Sequence, residues 1–162
     1  AGAFVGAIQL FLNNFAFMLN PRIVAWHGED LALFRRRVAR LSLAAVGSGI
    51  VAFGTVWPFR HWITALLLGD QFAPSADLLA ILLFAKFVAL SSGILIWGFL
   101  AGHKDSLAPR CCLIPLLVTV WLHSVLIPQQ GAVGAALANV LGEVVLLAVC
   151  AAVFARAYRP AA

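Results

Sequence analysis

The stretch 78–100, LLAILLFAKFVALSSGILIWGFL, constrains this chain more than any other: its twenty-three residues carry one charge, Lys86. A water-soluble amphipathic helix needs a polar face, and this run has none to offer. At ~1.5 Å per residue it covers the ~30 Å hydrocarbon core of a bilayer, so it reads as a membrane span. A charge within a span costs roughly 3 kcal/mol on insertion scales, so Lys86 must be accommodated or used.

The rest of the composition agrees. Of 162 residues, 64% are hydrophobic and 10% charged, with a mean hydropathy of +1.02. A soluble domain carries about a quarter charged residues, so this chain lacks the polar groups to cover its own surface in water. The formal charge is +5, but the basic residues sit between apolar runs as in membrane proteins, and no nucleic-acid partner is expected. Cys111 and Cys112 are adjacent and Cys150 lies in another apolar run. That is neither a disulfide framework nor a metal-ligand spacing, and the cysteines read as small packing residues. No two histidines share ligand spacing, so no metal is expected, and no cofactor. There is no GxSxG, Gly-rich phosphate loop or HExxH, so enzymatic chemistry has no visible machinery.

Five spans are predicted, at 2–20, 39–57, 78–100, 111–127 and 132–155, in a single all-α transmembrane domain, 1–162. In the first, Gly2, Gly6, Gln9, Asn13 and Asn20 share one helical face. Gly2 and Gly6 allow close approach of a neighbour, while Gln9 and Asn13 either bond to that neighbour or line a watery cavity. Ser42, Ala45, Gly49 and Ala52 form a small-residue stripe on the second span. Trp57, Phe59 and Trp62 read as an interfacial belt, and 62–68 as a short segment lying along the interface. Pro115, Thr119 and His123 share a face of the fourth span, with Thr119 expected to help satisfy the backbone group freed by the proline. Residues 128–131, PQQG, make the turn into the fifth span, whose inward stripe is Ala136, Asn139, Glu143 and Cys150.

Loop charges orient this arrangement. Segments 21–40, 101–110 and 156–162 hold five, two and two Lys or Arg, while the opposite side holds Arg60 alone. That bias is expected to place the Arg-rich segment and the C-terminus in the cytoplasm. The chain begins inside an apolar run without a start methionine, so it is expected to be a piece of a longer protein.

Two ionisable residues fall deep in the predicted spans. Lys86 lies ~12 Å from the outer end of its span and Glu143 ~16 Å along a span of the same direction, so an ion pair is geometrically possible. Two readings stay open. Lys86 snorkels to the interface while Glu143 is protonated or bonded to a neighbour, or both face a water-filled cavity. In the cavity reading Lys86 attracts an anion and Glu143 takes a proton or cation. His123, near the end of its span, reads as an interfacial hydrogen-bonding group or a proton relay.

The order of an Asn-rich span ending in NPRIVAWHGEDLALFRRRVARL, then WPFRHWITALLLGDQFAPSADLLAILL, GFLAGHKDSLAPR and LIPQQGAVGAALANVLGEVVLL spans nearly the whole chain. It resembles the C-terminal lobe of bacterial polysaccharide-biosynthesis membrane proteins, the O-antigen-type flippases for lipid-linked oligosaccharides. Their superfamily also contains the MATE multidrug exporters and lipid II flippases. The resemblance implies a transporter of two six-helix lobes around a central cavity, working by alternating access in the bacterial inner membrane. The chain would then be a partial lobe, lacking the N-terminal half and one helix. The resemblance also implies a polyprenyl-pyrophosphate-linked glycan as partner, as in lipopolysaccharide assembly. Lys86 would be placed for the phosphate, with Arg22 and Arg110 at the cytoplasmic mouth. The alternatives are a MATE-like exporter of cationic drugs and a non-transporting membrane subunit.

Overall fold

A computed structural model of the chain describes residues 6, 10, 14, 18, 19, 21–28 and 30–158, which are helical or in short turns, with no strand among them. Among the described residues, three helices are long and apolar enough to cross a bilayer, and the protein is membrane-embedded. Helix α1, Leu31–Leu68, starts at Asp30, an extended residue whose carboxylate accepts a 2.8 Å hydrogen bond from the Ala32 N–H. It ends at Gly69, where a 3-10 turn, Asp70–Ser75, leads into α2, Ala76–Ala101. A short turn at 102–106 then reaches α3, Leu107–Ala157.

Helix α3 is two helices in one. Gly131 interrupts it with φ 57° and ψ −129°, a combination that a side chain makes costly. The chain turns back there. Gly134 packs on the Leu126 carbonyl, Gly142 on the Thr119 side chain, and Cys111 against Cys150. Each pairing is centred near residue 130, so 107–130 and 132–157 are antiparallel arms.

The five separate spans expected from sequence are not what the described residues hold. The segment predicted at 2–20, with Gln9 and Asn13, lies outside them apart from a few positions. The segments at 111–127 and 132–155 are the arms of α3. The interfacial segment expected at 62–68 is instead the continuation of α1, which runs unbroken through Pro58 for 38 residues. That is ~57 Å of helix, well over a bilayer core, so α1 projects beyond the hydrocarbon or tilts.

Helix α2 is the centre of the bundle. It packs on α1 along one side and on α3 along the other, and among the described residues the Cα traces of α1 and α3 stay more than 8 Å apart. Small residues permit the approach: Gly49 of α1 seats the Phe87 side chain, and Gly98 of α2 lies under Phe154. At mid-bundle Ser42 and Ser91 are buried and bond reciprocally. Their hydroxyls are 2.6 Å apart, and the Ser91 hydroxyl donates to the Ser42 carbonyl at 2.9 Å. Ser42→Ala should destabilise by about 1 kcal/mol, and Ser91→Ala on top of it should add a further loss smaller than its loss alone, because Ser91 keeps its bond to the Ser42 carbonyl once the hydroxyl–hydroxyl bond is gone. A double-mutant cycle on unfolding in detergent checks this, and additive losses would show the bonds to be independent.

The two ends of the bundle are fastened differently. At the end rich in arginine, Phe34, Phe99, Phe154 and Tyr158 form a buried aromatic cluster. The Tyr158 hydroxyl donates to the Gly98 carbonyl at 2.9 Å, and burial pushes its pKa above the usual tyrosine range, keeping it a donor. The last carbonyls of α3 receive two cations from elsewhere in the fold: Lys104 bonds Ala157, and Arg35 bonds Tyr158 at 3.4 Å. Cations at a helix C-terminus satisfy orphan carbonyls and oppose the helix dipole. At the opposite end Arg60 reaches Asp77 in the first turn of α2 and lies 4.3 Å from the Trp57 ring centroid.

Candidate functional site: the charges at mid-membrane

Lys86 lies ten residues into α2, ~15 Å, and Glu143 twelve residues past Gly131, ~18 Å, both measured from the same end of the bundle. The two residues therefore share the middle of a ~30 Å core. Helix α2 and the second arm of α3 run parallel and in contact: Leu78 and Leu82 face Ala136 and Asn139, while Gly98 meets Phe154 at the other end. That register sets Lys86 beside Glu143, close enough for the lysine charge to be felt at the carboxylate. Both side chains are half-buried.

They do not form an ion pair. No nitrogen–oxygen distance between them falls within 4.0 Å, and Lys86 has no hydrogen-bond partner among the described residues. Glu143 Oε2 is buried and likewise has no partner. An unpaired buried carboxylate oxygen costs the full desolvation of that group, so this arrangement is a poor way to hold helices together.

Glu143 faces a groove of about 410 Å³ between the arms of α3. Its polar lining is Thr119, Asn139 and Glu143, and Leu113, Pro115, Leu116 and Leu146 are among the apolar residues that line the rest. The same Asn139 borders a second hollow with His123 at the turn end of the arms. Asn139 and Glu143 are four residues apart, one helical turn, and so stand on one face. Together the groove offers a carboxylate, an amide and a hydroxyl, oxygen-bearing groups that can accept a proton or a hydrated cation.

The sequence-predicted site residues separate into groups. Glu143 and Asn139 line one groove, and Lys86 lies beside Glu143 on α2. Arg22 and Arg110 are exposed at the arginine-rich end, and Lys86 is ~22 Å of helix from that end of α2. Gln9 and Asn13 lie outside the described residues. Thr119 does not bond the backbone near Pro115: its side chain packs on Gly142 at the groove. The Thr119 carbonyl is instead within 2.8 Å of His123 Nδ1. Thr119 was legible as polar in an apolar run, but its place opposite Gly142 depends on the register of the α3 arms, which Gly131 sets.

No known protein family, curated protein or solved structure matches this chain.

Proposed function

We propose that this chain is the C-terminal portion of a flippase that moves a lipid-linked oligosaccharide across the bacterial inner membrane by alternating access. The observation that carries the reading is Lys86: a cation at mid-membrane, beside a carboxylate yet unpaired with it. A lysine kept there for packing would find a partner, whereas a lysine that receives an anionic ligand must stay available. The pyrophosphate of a polyprenyl-linked glycan is such a ligand. Arg22 and Arg110, exposed at the arginine-rich end, suit the mouth through which it enters, and the loop charges favour that end, with the C-terminus, as cytoplasmic. Glu143, with Asn139 and Thr119, takes the proton or cation that couples transport.

Complementation tests the reading. The intact gene should restore surface polysaccharide to a strain lacking its flippase, and failure would overturn it. Within that assay Glu143→Gln should alter the dependence of export on the proton or sodium gradient. An unchanged dependence would make Glu143 structural.

The unpartnered Glu143 oxygen supports a second reading, a MATE-like exporter of cationic drugs, since a cation needs an acid to bind. Drug susceptibility of the null strain, restored by the gene without any effect on polysaccharide, would favour it.

A further inference from the structure

A second groove lies between α1 and the second arm of α3, whose Cα traces stay more than 8 Å apart. It holds about 550 Å³, and its floor is Ser91 and Leu95 of α2. Leu43 and Val46 form one wall, and Val144 and Ala151 the other. Leu43 is 70% and Val144 44% exposed, so the walls are open to the bilayer. This groove is separate from the one that holds Glu143.

Three features define what fits it. Its hydroxyls, on Ser42 and Ser91, are engaged with each other and offer nothing to a polar ligand. Its charge is at one end only: Arg35 lines that end, with Arg36, Arg40 and Arg156 exposed nearby in the sequence of the two walls. Its length, from Arg35 to Val46 on one wall and from Val144 to Ala155 on the other, is ~16 Å, half of the ~30 Å hydrocarbon core. A transmembrane helix would use the full thickness. A slot one leaflet deep, apolar throughout and cationic at the headgroup level, has the dimensions and charge of a single acyl chain beneath an anionic headgroup.

We propose that this groove binds an anionic phospholipid of the leaflet at the arginine-rich end, with one acyl chain between α1 and α3 and the phosphate on Arg35. Arg35 gives one N–H to the Tyr158 carbonyl, and the rest of its five-donor fork is left for phosphate oxygens. The lipid fills the gap between the two helices that flank α2 and joins them through hydrocarbon contact.

The test is native mass spectrometry of the full chain in detergent, supplied with equal amounts of phosphatidylglycerol and phosphatidylcholine of the same acyl chains. One phosphatidylglycerol should be retained in roughly fivefold to thirtyfold preference, the size expected for one or two arginines at a headgroup. Ala151→Phe, at an exposed alanine on the groove wall, should abolish retention. Ala152→Phe, exposed on the same helix but outside the groove, should leave it intact. Arg35→Gln should bring the two lipids within about twofold of each other. No retained lipid in the parent chain, equal retention of both headgroups, or retention unchanged by Ala151→Phe would each overturn the proposal. A parent dimer broken by Ala151→Phe would assign the groove to a second copy and overturn it too.

Discussion

On the flippase reading proposed above, Lys86→Ala in the intact gene is expected to abolish glycan export while leaving the amount of protein in the membrane undiminished. The two halves of that expectation have separate causes. Export is lost because the substitution removes the one cation at mid-depth on α2, and an anionic headgroup crossing the bilayer has no other partner on that helix. The fold survives because, among the described residues, Lys86 makes no hydrogen bond or ion pair whose loss could loosen it. Removing a charge from the middle of a span should in fact favour insertion by roughly 3 kcal/mol. Activity and stability are thus expected to move in opposite directions, a pattern that a packing defect cannot produce. Lys86→Arg, which keeps the charge, should retain part of the export. Quantitative immunoblotting of membranes beside a surface-polysaccharide assay reads both halves, and normal export by the alanine variant would reduce Lys86 to a snorkelling residue.

The largest structural effect is expected at Gly134. A Cβ there meets the Leu126 carbonyl of the facing arm, a backbone atom that cannot rotate away. Gly134→Val should therefore prise the arms of α3 apart just beyond their turn, at a cost of about 3 kcal/mol or more. Because Thr119 and Glu143 stand on opposite arms, the same change should widen the groove between them. Gly47→Ala is the matched control: nothing lies within 4 Å of that position on α1, and alanine in a helix interior is stabilising by up to about 1 kcal/mol over glycine. Thermal unfolding in detergent should show a large fall for the first variant and no fall for the second. Equal melting temperatures would mean that the arms are not packed as described.

What was readable in advance follows from what hydropathy encodes. The apolar run around Lys86 announced α2 almost to its ends, because the bilayer imposes a length and forbids polar residues within it. The stripe of Ser42, Ala45 and Gly49 announced the face of α1 that meets α2, because close helix contact selects small side chains. The continuity of α1 through Pro58 was not readable. Trp57, Arg60 and Trp62 mark an interface by composition, yet a helix leaving the bilayer carries the same residues as one that stops there. For the candidate site, the residue types Lys86, Asn139 and Glu143 stood out as polar groups in apolar surroundings. Their separation could not be read, because whether two charges on neighbouring helices pair or remain apart depends on rotation of the helices about their axes. Arg35 and Lys104 looked like ordinary loop charges, and only the end of the last helix brought back beside them gives them carbonyls to cap.

The position of α2 between α1 and the second arm of α3 also bears on the order of assembly. Helix α1 and α2 are adjacent in the chain and in contact, so they can pair as soon as both have entered the bilayer, with only a short loop to close. The first arm of α3 arrives next, yet it buries little beyond Cys111 and Pro115, whereas the second arm supplies Gly134, Ala136, Gly142, Cys150 and Phe154 to the interior. The first arm must wait for the residues that follow it. During synthesis the hairpin of α3 is thus expected to enter and dock as a unit, its first arm buried only once the second has followed it into the membrane.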